Sequence, residues 1–238
     1  NVAVGEDALN ANTTGDYNTA VGKGALDANT TANSNTAIGL AALGACTTGA
    51  NNTCVGESAG SSVTTGSNNI FYGREAGTGS HPGGNTTYHS NNSVWGNDST
   101  AYAYVKVSWS VTSDERDKTD FKNLDIGLDF VKALEPVTFY WDERSKYIDK
   151  DNPDVDLNTI TNDGTHKGNI LDIGFKAQAV AKLEEDAGYK IDEQTNLTTT
   201  LAQDGKQYSL KYEKFVPILV KAVQELSAEL NELKDKVE

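Results

Sequence analysis

Methionine is missing from all 238 residues, position 1 included. The chain therefore reads as an excised or processed piece of something longer, with any targeting information expected in the part removed. Cysteine is nearly as scarce. Cys46 and Cys54 cannot make a disulfide framework for a chain of this size and are expected to be small apolar residues inside a stack. Histidine occurs only at His81, His89 and His166, with no metal-ligand spacing to the cysteines, so these are expected as surface or loop residues and no zinc or other cofactor is assigned. Positive charge is short as well: 20 basic against 34 acidic residues give −14, spread along the chain, which favours solubility and disfavours nucleic acid as a partner. No apolar run approaches the roughly 18 residues of a membrane span, and no charged-then-apolar leader opens the chain, so membrane insertion is not expected. What remains is a chain with 37% apolar residues, long enough for one large or two modest domains with a core.

The first eighty residues repeat. Asn1-Val-Ala-Val-Gly5, Asn18-Thr-Ala-Val-Gly22, Asn35-Thr-Ala-Ile-Gly39, Asn52-Thr-Cys-Val-Gly56 and Asn69-Ile-Phe-Tyr-Gly73 recur every seventeen residues. Ala8, Ala25, Ala42, Ala59 and Ala76 share a phase, as do the pairs Thr13-Thr14, Thr30-Thr31, Thr47-Thr48 and Thr64-Thr65. A short strand ending in a glycine turn, repeated without insertion, predicts one coil per repeat of a stacked β-solenoid. Val4, Val21, Ile38, Val55 and Tyr72 are expected to form one apolar row, and the alanines a row of methyls that asks for partner chains about a common axis. The repeat resembles the coils of trimeric adhesin heads and phage fibre shafts, which implies a trimeric β-solenoid-like shaft over 1–80.

From residue 81 to 112 the period breaks, although Asn92-Ser-Val-Trp-Gly96 reads as a last degenerate coil displaced by an insertion. Tyr88, Trp95, Tyr102, Tyr104 and Trp109 make this connector the most aromatic part of the chain. Two readings stay open. Tyr88 and Trp95 among Asn, Ser and Thr suit glycan contact at an exposed tip, while alternating Val105, Val107, Trp109 and Val111 suit a half-buried strand at an oligomer axis.

A different composition follows, since 16 of the 22 glycines lie before residue 100. Asp125 to Leu134 predicts a helix with Ile126, Phe130, Val131 and Leu134 on one face, stopped at Glu135-Pro136, and Val137-Thr-Phe-Tyr-Trp141 a strand. Residues 149–169 read as a polar loop. Its acidic cluster, Asp149, Asp151, Asp154 and Asp156, lacks the glycine and terminal acidic residue of a calcium loop. Ile170 to Glu185 predicts a strand-to-helix unit ended by Gly188. Leu219, Val223, Leu226, Leu230, Leu233 and Val237 alternate spacings of four and three, a coiled-coil seam within 216–238, with Pro217 in the first turn or at a kink. A single amphipathic helix docked on its own domain is the other reading of that seam.

Taken in order, Ser113-Asp-x-Arg-x-Lys118, a helix, Leu134-Glu-Pro-Val-x-Phe-x-Trp141, Gly174-Phe-Lys-Ala-Gln178 and Leu219-Val-Lys-Ala-Val-Gln-Glu-Leu226 resemble a known family. They are similar to the C-terminal intramolecular chaperone of phage tailspikes and tail fibres, the endosialidase-type chaperone, which is also an auto-processing serine peptidase. The resemblance covers 113–238 and departs from the family at Asp117, where an apolar residue is usual. It implies an α+β chaperone domain ending in a coiled-coil helix, which holds three chains together while their shafts wind up and then cuts itself off. The implied cleavage site is the Thr112-Ser113 bond, with Ser113 as nucleophile, Lys118 as its base, and Asp114 and Arg116 as supporting residues. A spacing of five puts Ser113 and Lys118 on different sides of a regular helix, so the pair needs a turn or a lysine from a neighbouring chain.

The expected whole is a homotrimeric phage tail-fibre piece, resident in the virion and recognising a host cell-surface receptor, with the chaperone released in the host cytoplasm. The competing class is a non-enzymatic trimeric adhesin whose C-terminal domain only anchors the trimer. A glycan-cleaving tailspike has no support, because residues 1–112 show no paired catalytic carboxylates on a credible scaffold.

Overall fold

The computed structural model describes residues 1–78, 87–97, 99–100, 103–106, 108, 110–148, 156–202 and 205–237. The expectations at His81, Tyr102, Val107, Trp109, Asp149, Asp151 and Asp154 fall outside them. The chain forms two compact units, one of Asn1–Ala103, Glu143–His166 and Ala202–Gln207, the other of Tyr104–Asp142, Lys167–Leu201 and Tyr208–Glu238.

The first unit is built on a β-solenoid. β1 (Val2–Val4), β2 (Thr19–Val21), β3 (Thr36–Ile38), β4 (Thr53–Val55), β5 (Ile70–Tyr72) and β6 (Ser93–Trp95) form a six-stranded parallel sheet in sequence order. The expected degenerate coil is thus real, and β6 pairs with β5 through Tyr72↔Trp95 after an insertion. Identical phases fall opposite one another in every pairing, as in Ala20↔Ala37 and Val21↔Ile38. The motif asparagines explain why the register cannot slip. Asn35 donates from Nδ2 to the Gly49 carbonyl at 2.9 Å within its own coil, while its Oδ1 accepts the Asn52 backbone N–H at 2.9 Å from the next. Asn18, Asn52 and Asn69 repeat the same pair of bonds, so the amides of these four asparagines are satisfied and the coils are stapled in one ladder. The glycines after β1 to β4 are constrained as well: Gly39 has φ +135°, and a Cβ there would lie 2.4 Å from the Gly56 carbonyl oxygen of the coil above.

The core corrects one expectation. Ala20, Ala25, Ala37, Ala42, Ala59 and Ala76 are fully buried inside the coils and form no surface row. A coil this narrow has room for about one bulky side chain, so methyls fill the rest of its interior. Volume is traded within coils: Leu26 accompanies Ala20 and Leu43 accompanies Ala37, but Gly60 accompanies Cys54 and Gly77 accompanies the buried Phe71. The apolar row beginning at Val4 does exist, and it faces outward, extended by Trp95, whose ring stacks on Tyr72 at 5.7 Å. Both cysteines are buried ladder residues, as expected, and Cys46 donates to the Gly49 carbonyl at 3.2 Å. Burial pushes the Cys46 thiol up to about 11 and the Cys54 thiol higher still, so neither is a reactive thiolate. His89 is a loop residue, as expected, but a buried one, at the phase of Gly66; among the described residues the sheet ends at β6, so no further carbonyl closes on that position. His166 is exposed and meets the Tyr147 ring edge-on.

Val105 and Val111 are exposed, and no strand forms among the described residues around them. Asp156 is exposed and caps a 3-10 turn, accepting the Asn158 N–H at 3.0 Å.

In the second unit α1 (Leu128–Ala133) is shorter than predicted. Its N-terminus is set by α3 (Phe215–Asp235), whose Glu225 Oε2 accepts the Leu128 N–H at 2.7 Å, so the preceding residues stay outside the helix although Ile126 is still buried. β7 (Val137–Tyr140) pairs antiparallel with β8 (Leu171–Gly174), and α2 (Ala177–Asp186) follows. Gly188, at φ +91°, closes α2 with bonds from Gly188 N to Glu185 O and Tyr189 N to Glu184 O. The β9 (Thr199–Leu201) and β10 (Tyr208–Leu210) hairpin is held by Glu184, a fully buried carboxylate on α2 that accepts the backbone N–H and hydroxyl of both Thr198 and Thr199. Ile126, Phe130, Val180, Phe215 and Ile218 form the core. α3 gives this core Phe215, Ile218 and Ala222, while Leu219, Val223, Leu226, Leu230 and Leu233 stay exposed on another face. Pro217 lies in the first turn of α3, where a missing N–H costs nothing. Among the described residues no helix is long and apolar enough to cross a membrane.

Candidate functional site

Ser113 and Lys118 lie on the exposed surface of the second unit, separated by a single 3-10 turn over Glu115–Asp117. Asp114 starts that turn. Its Oδ1 accepts the Arg116 backbone N–H at 2.9 Å and the Arg116 Nε at 3.0 Å, and its Oδ2 takes Arg116 Nη2 at 2.6 Å. The turn closes with Asp117 N to Asp114 O at 3.3 Å and Lys118 N to Glu115 O at 3.1 Å. The backbone then extends at Lys118, φ −128° and ψ 154°, and the side chain folds back over the turn. Lys118 Nζ donates to Ser113 Oγ at 2.6 Å and to the Ser113 carbonyl at 3.2 Å. Of the two arrangements that the spacing leaves open, the turn is present within one chain.

Electrostatically, Asp114 and Arg116 are a closed pair. The Arg116 guanidinium holds the Asp114 carboxyl below its ordinary value, and the carboxylate raises Arg116 in return. Among the described residues Lys118 makes no ion pair, and its bonds run to the two Ser113 oxygens. Thr112, whose carbonyl carbon Ser113 would attack, is exposed.

Tyr88 and Trp95 fall in different rows: Tyr88 occupies the phase of Thr65 and stands edge-on to His89, whereas Trp95 continues the outward row through Tyr72. Both rings are exposed, at 70% and 66%. A cleft of about 200 Å³ in the second unit, lined by Leu134, Phe175, Lys176, Val180 and Leu183, does not include Ser113 or Lys118. Among the described residues no group of three or more His, Cys, Asp or Glu is placed to hold a metal ion.

Ser113, the residue before the cap of the turn, is also where the family match begins. Residues 113–189 match the chaperone-of-endosialidase family. The match covers less than half of the chain and bears out the resemblance read from the motif blocks within 113–189; the block at Leu219–Leu226 lies beyond it. The match thus begins at the candidate serine, after the β-solenoid in chain order. No curated protein and no solved structure matches the chain. Sequence reasoning missed the Asp114 cap, because Ser113 competes for the same role, and it missed Glu184 and Glu225, whose partners are distant in sequence.

Proposed function

We propose that this chain is part of a homotrimeric phage tail fibre, whose C-terminal domain registers three chains, lets the solenoid shaft wind up, and then cuts itself off at Thr112-Ser113. The observation that carries the cleavage reading is that the family match opens on Ser113 and that Lys118 Nζ lies 2.6 Å from its Oγ. Neutral Lys118 takes the Oγ proton as the oxygen attacks the Thr112 carbonyl carbon. The C–N bond breaks, the nitrogen of Ser113 receives the proton, and the amide has become an ester. Water then adds to that carbonyl, Lys118 relays its proton to the departing Oγ, and a Thr112 carboxylate and a free Ser113 amine remain. No binding pocket is required, because the bond attacked adjoins the nucleophile.

Two exposed apolar faces support association. One is the outward solenoid row from Val4 to Trp95, and the other is the heptad face of α3, which can make a parallel coiled coil. Registration matters because stacking strands of separate chains depends on non-local contacts and is slow and error-prone. Removing the helper afterwards leaves a fibre whose persistence is set by its unfolding barrier. The remaining shaft would serve in the virion as a host-recognition fibre, with a cell-surface receptor, glycan among the candidates, as its partner and the chaperone left in the host cytoplasm.

Denaturing mass measurement of the wild type and Ser113→Ala tests this. Wild type should yield two pieces, one ending at Thr112 and one starting at Ser113, and the variant a single intact polypeptide. Wild type that folds and stays intact leaves only the trimerisation-anchor reading of a non-enzymatic adhesin.

A further inference from the structure

We infer that the Ser113–Lys118 pair closes within one chain and that Asp114 is the positioning residue that closes it, an inference resting on the cleavage reading above. The chain between the two residues has few ways to bring them together. Extended, five residues span about 17 Å, beyond the reach of a lysine side chain. In an α-helix they point about 140° apart. A tight turn is what remains, and the structure has one.

That turn has nothing from the core to hold it. None of its residues is buried, and its two backbone bonds are at 3.1 and 3.3 Å. What fixes it is Asp114, whose carboxylate grips Arg116 at the backbone N–H and at two guanidinium nitrogens, at 2.6 to 3.0 Å. A carboxylate satisfying an orphan N–H of the turn and a bidentate guanidinium at once is a strong local clamp. The clamp has a second effect. It occupies the carboxylate next to the serine, so that Lys118 Nζ turns to Ser113 Oγ at 2.6 Å and forms no ion pair with it. Asp114 thus acts through the turn and through Arg116, and touches none of the reacting atoms.

Two experiments on the full chain decide this. In the first, differently tagged Lys118→Ala and Ser113→Ala chains are co-expressed, and mixed assemblies are isolated through both tags. Closure within one chain predicts that neither chain is cut in the mixture, while wild-type chains co-assembled with either variant are cut. Cleavage of the Lys118→Ala chain beside Ser113→Ala would overturn it, since a neighbour's lysine would then be acting. In the second, Asp114→Ala should slow cleavage by about 10- to 100-fold through misplacement on the scale of an ångström, with assembly and unfolding temperature unchanged. Asp114→Asn keeps an acceptor for the Arg116 N–H and should recover most of the rate. Asp114→Ala cutting at the wild-type rate, or Asp114→Asn as slow as Asp114→Ala, would overturn the positioning role. If Asp114→Ala fails to assemble, Arg116→Ala decides: it keeps the cap, removes the guanidinium arm and should cut several-fold slower than wild type, with an unchanged rate counting against the clamp. A wild type that never cuts would defeat the cleavage reading itself and this inference with it.

Discussion

Tyr17 has φ 61° with its ring almost fully exposed, at the phase where Asn51, Asn68 and Asn91 stand in later coils at φ 59°, 59° and 65°. Left-handed backbone crowds Cβ against the carbonyl, and asparagine bears this better than tyrosine. Tyr17→Asn is therefore expected to stabilise the chain by about 1 kcal/mol, read as a higher unfolding temperature. Glu225 is a second position where one side chain sets local geometry. The Leu128 N–H, and after it the Lys221 ammonium, hold its carboxyl below the ordinary value. Because the folded value is the lower one, the stabilisation is full above the unfolded value of about 4.3 and is lost as pH falls through the folded one. Glu225→Gln should lower the melting temperature of the helical signal at neutral pH, and the gap to wild type should close in acid. A gap that persists unchanged in acid would mean that the charge contributes nothing there.

At the scale of the element, the solenoid core is a set of paired volumes. Phe71→Ala should destabilise by about 3–5 kcal/mol, since the ring is fully buried. Gly77→Leu alone should also destabilise, because even a Cβ at Gly77 would lie 2.7 Å from the Phe71 ring. Together they recreate the Ala37 and Leu43 pairing of an earlier coil, and Leu43 already tolerates φ 53°. Denaturant titration of the double variant should show a loss clearly smaller than the sum, and simple additivity would refute the exchange of volumes. The coil period, the strands and the displaced sixth coil were all legible in sequence, because stacking forces like residues into like positions. Which side of the strand points inward was not. Thr-Ala-Val carries an apolar residue on both faces, and only closure of the coil shows that the alanine side is the narrow interior. The α1 boundary was misplaced for a related reason, since its cap comes from Glu225, 97 residues away. The β9–β10 hairpin was missed although Thr199 to Leu201 and a later Asp-Gly pair carry the signal.

For the whole molecule, the consequence lies in the α3 face that its own unit leaves uncovered. Phe215, Ile218 and Ala222 fill the local core, so Leu226→Lys with Leu230→Lys should leave the unit folded. On the proposed coiled coil, sedimentation should then report the mass of one chain in place of three, and an unchanged mass would place the association elsewhere. The sequence by itself determined the solenoid and the chaperone-type motifs over 113–189, because periodicity and motif order are local records, and it placed Ser113 and Lys118 five residues apart. Only the tertiary structure decided which faces are outward and how a spacing of five becomes a contact of 2.6 Å. Those outcomes depend on side chains meeting across coils, across a turn, or between helices far apart in the chain, where spacing carries no distance.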